Sequence, residues 1–137
     1  MISVSLVKRY HNVRISLNRL EEIVQFVCRK EKISDGELSF VIINERTMRG
    51  MNKKFLTHDY STDIITFPLE KMPLQAEVFI NGEKIKSQAK EFKVSEKNEL
   101  IRLIVHGTLH ALGYSDKTTM KKKRMYELQE KYVVQLS

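Results

Sequence analysis

Residues 106–116 read His106-Gly107-Thr108-Leu109-His110-Ala111-Leu112-Gly113-Tyr114-Ser115-Asp116, and two of the four histidines of the chain lie in this stretch, four residues apart. On a helix, that spacing places both imidazoles on one face, one turn apart, where they can bind one ion. Gly113 is predicted to end the helix, because glycine adopts the left-handed conformation at little cost. Asp116 then supplies a carboxylate, so the stretch predicts a metal site of His106, His110 and Asp116 with an open position.

Long zinc-protease motifs have the same ligand spacing, but their chemistry needs one further residue. In them, the residue after the first histidine is a glutamate that acts as the general base. Here that residue is Gly107, which has no side chain to move a proton. The sequence therefore favours a metal site over a metalloprotease. An alternative without any metal is also open, in which His106 and His110 are ordinary helix residues and Asp116 forms a turn.

Length and composition favour one globular domain that acts on a polyanion. The 137 residues can bury a core and 42% of them are hydrophobic, so we expect a single domain over 1–137. Twenty-four Lys and Arg against 17 Asp and Glu give a net charge of +7, which suits nucleic acid first. No apolar run approaches the ~18 residues of a membrane span. With a single cysteine, Cys28, we expect a cytoplasmic protein without a membrane segment, in which Cys28 packs in the core.

Hydrophobic periodicity divides the chain into about four strands and about five helices, the pattern of an α/β (α+β) fold. Strands are predicted at 2–6, 37–44, 63–68 and 76–81, and helices at 18–32, 44–55, 84–92 and 118–133, with a further helix that Ser95 caps and Gly113 ends. Asn18 and Glu21 form a capping box at the start of the first helix. Pro68 is expected to stop the third strand. Only residues 69–75 separate the last two strands, too few for a parallel crossover, so a hairpin is expected.

Three segments, in order along the chain, carry a resemblance to a known family. Residues 59–68 are similar to the pattern D-x-P-T-D-V-L-S-F-P, and residues 76–80 are similar to the strand pattern G-[DE]-I-x-I. His106-Gly107-Thr108-Leu109-His110, followed by Leu112-Gly113-Tyr114, is similar to the signature HGxLHLxGYDH. These motifs are those of the bacterial YbeY proteins, also called rRNA maturation factors or endoribonuclease YbeY. By this resemblance, which spans about 38–125, the chain is identified as a member of that family.

The resemblance implies a fold, an activity and partners. The implied fold is a small mixed β-sheet surrounded by helices, with the metal site at the end of a central helix. The implied activity is metal-dependent, single-strand-specific endoribonuclease cleavage, with one divalent metal, zinc as the first choice. It serves 16S rRNA 3′-end maturation and ribosome quality control, with single-stranded RNA, the small ribosomal subunit, and ribosomal or GTPase assembly proteins as partners. An alternative of a different class is a non-catalytic ribosome-assembly factor that binds rRNA and has a structural metal.

The chain departs from the family pattern at positions that bear on activity. Asp116 stands where the family has its third histidine ligand, and Ser115 stands where it has an aspartate. A carboxylate binds zinc, but its negative charge makes a bound water less acidic than three neutral imidazoles would. Leu56 stands where the family tends to have an arginine, after the aromatic residue that Phe55 matches. Other basic groups would then have to bind the RNA phosphates.

Further side chains are candidates for the work around the metal. Asp63 and Glu77 are the candidates for the general base. Tyr60 and Tyr114 are open as residues that stack on bases, whereas Phe67 is expected in the core. The candidates for binding RNA are basic residues in the first half of the chain and in a run near its end: Arg49, Lys53, Lys54, His58, Lys121, Lys122, Lys123 and Arg124.

Overall fold

A computed structural model describes residues 1–137 and contains a four-stranded sheet and five helices. The predicted α/β class is therefore confirmed. The elements follow one another as β1 (Ile2–Lys8), α1 (Leu17–Lys30), β2 (Gly36–Ile43), α2 (Glu45–Leu56), β3 (Ile64–Lys71), β4 (Leu74–Asn81), α3 (Gly82–Phe92), α4 (Glu96–Ala111) and α5 (Thr119–Leu136). None of the five helices is long and apolar enough to cross a membrane.

The sheet is mixed, as the family resemblance implied. Its strand order is β1-β2-β4-β3, with β1 and β4 each parallel to β2, and β3 antiparallel to β4. The predicted hairpin of the last two strands is therefore confirmed. The prediction that Pro68 stops the third strand is wrong, because β3 continues to Lys71. Since β3 is an edge strand, only one of its sides needs ladder partners, so the proline is tolerated, and the register shifts just after it, between Pro68 and Glu70.

Side-chain caps fix where the helices begin. Ser95 accepts a hydrogen bond from the backbone N–H of Asn98 at 3.0 Å, so the predicted cap of α4 is confirmed. At α1 the predicted capping box is wrong, because Ser16 is the cap and accepts from the backbone N–H of Arg19, while Asn18 lies within the first turn. Serine and asparagine cap helices about equally well, so residue type alone does not choose between two candidates two residues apart.

The main core lies between one face of the sheet and the helices packed on it. Its 25 buried residues include Phe40 and Val78 from the strands and most of α4. Leu103 and Leu109 of α4 are buried in addition to the predicted face, while Leu112 is half-buried. Because α4 is buried on most sides, the helix that carries both motif histidines has a fixed position on the sheet.

The other face of the sheet is covered near one end by α2. The smaller core there consists of Ile43, Met48 and Ile65. Phe67 packs against this cluster, and its ring is 5.8 Å from the rings of both Phe55 and Phe79 in edge-on contacts. Phe67 is therefore a packing residue, as expected, although it is half-buried and not fully buried.

Cys28 is fully buried in the main core, as predicted. Burial, and then the charge of Glu31, raise the pKa of its thiol to about 11. The thiolate is the reactive form of cysteine, so this thiol is a packing group and not a nucleophile.

Candidate active site

His106 and His110 lie on α4, one turn apart, as their spacing predicts. The centroids of their rings are 5.9 Å apart. Both side chains are half-buried near the C-terminal end of the helix, in a segment whose other residues are mostly buried. The fold therefore presents two imidazoles side by side on a helix whose position is fixed by the core.

Gly107 lets α4 approach the sheet closely between the two histidines. A Cβ atom at this position would lie 2.7 Å from Cγ1 of Val78 and 3.0 Å from Cδ1 of Ile64. A larger residue would push the helix away from β3 and β4, because protein cores are close-packed. Position 107 therefore faces the sheet, and a general base of the metalloprotease type has no room there.

The predicted end of the motif helix is confirmed. Gly113 has a φ of +106°, a conformation that favours glycine, and its N–H donates to the carbonyl of His110 at 3.1 Å. The chain then turns back through residues 114–118 to the start of α5. This turn brings Oδ1 of Asp116 to 3.9 Å from Nε2 of His110.

Tyr114 anchors this turn to α1 and α5. Its hydroxyl donates to Oε1 of Glu31 at 2.5 Å, and the hydroxyl of Tyr132 donates to the other oxygen of the same carboxylate. The hydrogen bond to Glu31, together with burial, raises the pKa of Tyr114 to about 12. Burial, together with the same carboxylate, also raises the pKa of Tyr132. Tyr114 is committed to this contact, so it is not available to stack on a base.

A hydrogen-bonded chain from α5 reaches His106. Nδ1 of His106 lies 2.7 Å from Oε1 of Gln129, and Nε2 of Gln129 donates to Oε2 of Glu130 at 3.1 Å. Arg102 donates to both oxygens of Glu130, at 2.8 and 3.0 Å, and to Glu99 at 3.1 Å. These contacts join α4 to α5 beside His106.

The charges of the Arg102 and Glu130 pair follow from these contacts. The hydrogen bond to Glu130 raises the pKa of Arg102, against the effect of burial. Burial alone would raise the pKa of Glu130, but hydrogen bonds from Arg102 and Gln129 outweigh it and lower that pKa. Both partners are therefore charged, in a pair that is bidentate and only partly exposed.

A cavity of about 540 Å³ opens beside His106. His106 and Asp116 both line it, whereas His110 does not. The remaining walls are mostly polar and come from four helices and the start of β3: Asp63, Gln88, Phe92, Glu99, Arg102, Leu103, Lys122, Met125, Tyr126 and Gln129. One imidazole thus shares a polar cavity with carboxylates and with the cations of Arg102 and Lys122.

Of the two candidates for the general base, one lies at this cavity. Asp63 lines it, and its Oδ2 accepts a hydrogen bond from Gln88 at 3.3 Å. Glu77 lies on β4 between the buried residues Ala76 and Val78. Since side chains alternate along a strand, Glu77 points to the other face of the sheet, away from α4.

Four of the basic residues predicted to bind RNA lie in the first turns of α5. Lys122 lines the cavity with His106. Lys121, Lys123 and Arg124 are exposed beside it on the same helix. Lys122 forms no ion pair, so its ammonium group is free to bind an anion at the cavity.

The other four predicted RNA-binding residues lie on α2 and the loop after it. Arg49 pairs with an aspartate of this loop at 3.2 Å and lines, with Lys53, a different cavity. Lys54 lies over the ring of its aromatic neighbour, 5.3 Å from the centroid. His58 contacts the hydroxyl of the exposed Tyr60 at 2.5 Å. None of the four lines the cavity beside His106.

The donor atoms at the end of α4 suit a divalent metal, although they are not gathered around one point. No group of three or more His, Cys, Asp or Glu side chains lies close enough together to hold an ion. Imidazole nitrogens and carboxylate oxygens are nonetheless ligands that zinc accepts. By donor chemistry His106, His110 and Asp116 therefore fit such a metal, with Asp116, whose side chain is 50% exposed, the least fixed of the three.

Comparison with known proteins identifies the family. Residues 7–137 match the family model described as Endoribonuclease YbeY. A protein named Endoribonuclease YbeY from Cytophaga hutchinsonii is 39% identical over 101 residues, covering 72% of this chain and 71% of its own. One of the same name from Bacillus licheniformis is 34% identical, covering 83% of this chain and 81% of its own. The chain belongs to the YbeY family.

A solved structure agrees with the YbeY assignment at the level of the fold. The solution structure of TM1509 from Thermotoga maritima matches with a TM-score of 0.65 and 27% sequence identity, covering 99% of this chain and 89% of that chain. The family resemblance seen in the sequence is therefore confirmed, and with it the mixed sheet and the central helix.

Against the YbeY pattern, the cationic wall of the cavity is unusual in its source. Leu56, at the end of α2, stands where the family tends to have an arginine, and it is 42% exposed. No basic side chain of α2 lines the cavity. Arg102 is committed to two carboxylates, so Lys122 of α5 is the free cation there.

Sequence reasoning missed the residues that surround His106. Gln129 is 6% exposed and lies on the same face of α5 as Met125 and Tyr132, which were expected to be packing residues. A polar residue on an otherwise apolar face is a signal for a buried hydrogen bond, and this one was overlooked. Phe92 and Tyr126, which are 57% and 60% exposed at the cavity, gave no such signal, because exposed aromatic residues occur singly on many surfaces.

Proposed function

We propose that this YbeY-family endoribonuclease cuts single-stranded RNA with the help of a divalent metal, and that residues 1–137 form one such hydrolase domain. The observation that carries the proposal is the cavity at the end of α4, where His106 and Asp116 lie together with Asp63 and Lys122. It combines ligand atoms for a metal, a carboxylate that can accept a proton, and a free cation for a phosphate.

The metal would be held by His106, His110 and Asp116, and zinc is the metal that this set of donors favours. When bound, it would supply an activated water and polarise the scissile phosphate. Asp63 accepts the proton of the attacking water in this scheme, and Gln88 positions it through the hydrogen bond at 3.3 Å. Lys122 offsets the charge on the phosphoryl oxygens.

The preference for single strands is supported by the rim of the cavity. Phe92 and Tyr126 expose 57% and 60% of their surface on α3 and α5. Bases of a single strand can stack on such rings at a gain of about 1–3 kcal/mol each, whereas bases in a duplex already stack on one another. Lys121, Lys123 and Arg124 extend the positive surface along α5, where a strand that leaves the cavity can bind.

The substrate in the cell would be the 3′ end of 16S rRNA, during maturation and quality control of the small ribosomal subunit. This part of the proposal rests on the family, and it places the protein in the cytoplasm, in contact with the subunit and with ribosomal or GTPase assembly proteins. The net charge of +7 suits such a polyanionic partner.

The test begins with metal content, measured by elemental analysis on the purified protein and on Asp116→Ala. Both proteins are then given a labelled single-stranded RNA and a duplex of the same sequence, with chelator, without it, and with zinc restored. We expect close to one metal per chain, less in the variant, and cleavage of the single strand that chelator stops and zinc restores.

Two results would contradict the proposal. Metal that is present without any cleavage would favour the alternative of an assembly factor with a structural metal. Cleavage that survives complete removal of metal would show that the imidazoles serve some other purpose.

A further inference from the structure

The hydrogen bonds around His106 determine which of its ring nitrogens carries the proton. Arg102 donates to both oxygens of Glu130, at 2.8 and 3.0 Å, so Glu130 is a carboxylate that can only accept hydrogen bonds. Its Oε2 lies 3.1 Å from Nε2 of Gln129. A carboxylate cannot face an amide oxygen favourably, so the nitrogen end of the Gln129 amide must point to Glu130.

The orientation of Gln129 then decides the state of His106. With its nitrogen turned to Glu130, the amide presents Oε1 to Nδ1 of His106, at 2.7 Å. An amide oxygen only accepts, so Nδ1 must donate and therefore must carry a proton. In the neutral ring the lone pair is then on Nε2.

We infer that Gln129, oriented by Glu130 and Arg102, holds His106 in the tautomer with the proton on Nδ1 and the lone pair on Nε2. Gln129 is a positioning residue in this scheme, since it acts through His106 and touches neither RNA nor metal. Gln129 is only 6% exposed, so water competes weakly for its amide. Arg102 is anchored in turn by Glu99, which is 2% exposed, so the whole chain of contacts is set by packing of α4 against α5.

The inference rests on the proposed function only in its consequence. Histidines that bind metals commonly donate their second ring nitrogen to an oxygen, which fixes the ring and its tautomer. If a metal binds at the end of α4, His106 offers Nε2 to it without first having to move a proton or turn its ring. The tautomer itself can be measured with no metal present.

The test uses the full chain labelled with ¹⁵N at histidine and freed of metal, at about pH 8, where an unperturbed imidazole is neutral. Nitrogen shifts and long-range couplings of His106 distinguish the two tautomers. We expect Nδ1 to be the protonated nitrogen in the natural protein. In Gln129→Leu, which removes the acceptor at nearly constant volume, we expect a shift toward the mixture that a free imidazole shows.

Two further variants separate the hydrogen bond from general disturbance. Gln129→Glu keeps an acceptor beside Nδ1 and is expected to keep the Nδ1–H tautomer. Gln88→Leu removes another glutamine of the same cavity that does not touch His106, and it is expected to leave the tautomer unchanged. A natural protein with the proton on Nε2, or a Gln129→Leu protein with an unchanged tautomer, would overturn the inference.

Zinc affinity, measured by competition with a chelating dye, gives the second readout. Loss of such a partner typically weakens metal binding by about 10–100-fold, so we expect a decrease in this range for Gln129→Leu and none for Gln88→Leu. If the natural protein binds no zinc but has the Nδ1–H tautomer, the proposed function fails and the inference stands. If it binds zinc and cleaves RNA with the other tautomer, the inference alone fails.

Discussion

His106 and Asp116 line the same cavity, but the fold holds them in different ways. His106 lies on the buried helix α4 and has a hydrogen bond of 2.7 Å to Gln129 of α5. Asp116 lies on the turn 114–118 with a half-exposed side chain, and its nearest ion-pair partner is His110 at 3.9 Å. We call these the helix side and the loop side of the site.

The difference between the two sides shows how much of the site the fold builds by itself. The helix side is fixed by packing and by a chain of hydrogen bonds, so it needs no ligand to take its form. The loop side has an anchor at Tyr114 but nothing that fixes Asp116 itself. A bound ion would therefore find one ligand in place and would have to order another, which costs conformational entropy.

The largest effect is expected on the helix side, from His106→Ala. This change removes the ligand that the fold has positioned, so RNA cleavage and zinc affinity should both fall by more than about 100-fold, beyond the range for an outer-shell partner. Gel assays on single-stranded RNA and competition titration with zinc measure the two quantities. His11→Ala, at an exposed histidine outside the cavity, is the matched control and should change neither. Comparable activity in both variants would mean that His106 has no part in the reaction.

A smaller effect is expected on the loop side, from Asp116→Ala. Because Asp116 must be ordered before it can bind, its loss should weaken zinc binding and cleavage by only about 10–100-fold. Asp116→His restores the residue that the family has there and should retain both properties. If Asp116→Ala were as damaging as His106→Ala, the two sides would be equally important and the comparison would be wrong.

The parts of the site that the sequence predicted are the local ones. His106, His110 and Gly113 lie within eight residues, so the helical period alone sets their arrangement, and the structure has both imidazoles on one face with the helix ending at the glycine. The hairpin of β3 and β4 is local as well. Even here a tertiary fact intervened, because the edge position of β3 allowed the strand to run past Pro68.

The parts that the sequence did not predict depend on contacts between distant segments. Gln129 reaches His106 across 23 residues, and Glu31 reaches Tyr114 across 83. Neither pair has a fixed spacing, since each depends on how α4, α5 and α1 pack. The RNA-binding residues illustrate the same limit: charge alone named Arg49 and Lys122 equally, and only the packing of α5 brings Lys122 to the cavity.

The smallest effect is expected from Tyr114→Phe, which tests the anchor of the loop side. It removes the hydrogen bond to Glu31 and leaves the ring, so the turn 114–118 should loosen at a cost of about 1 kcal/mol, or about fivefold in zinc affinity. Tyr132→Phe is the matched control, because it removes the other hydrogen bond to Glu31 from α5 and not from the turn. We expect Tyr132→Phe to lower the free energy of unfolding by a similar amount without changing zinc affinity. Equal losses of zinc affinity in both variants would show that Glu31 supports the whole site through α5, and the helix and loop sides would then have to be treated as one unit.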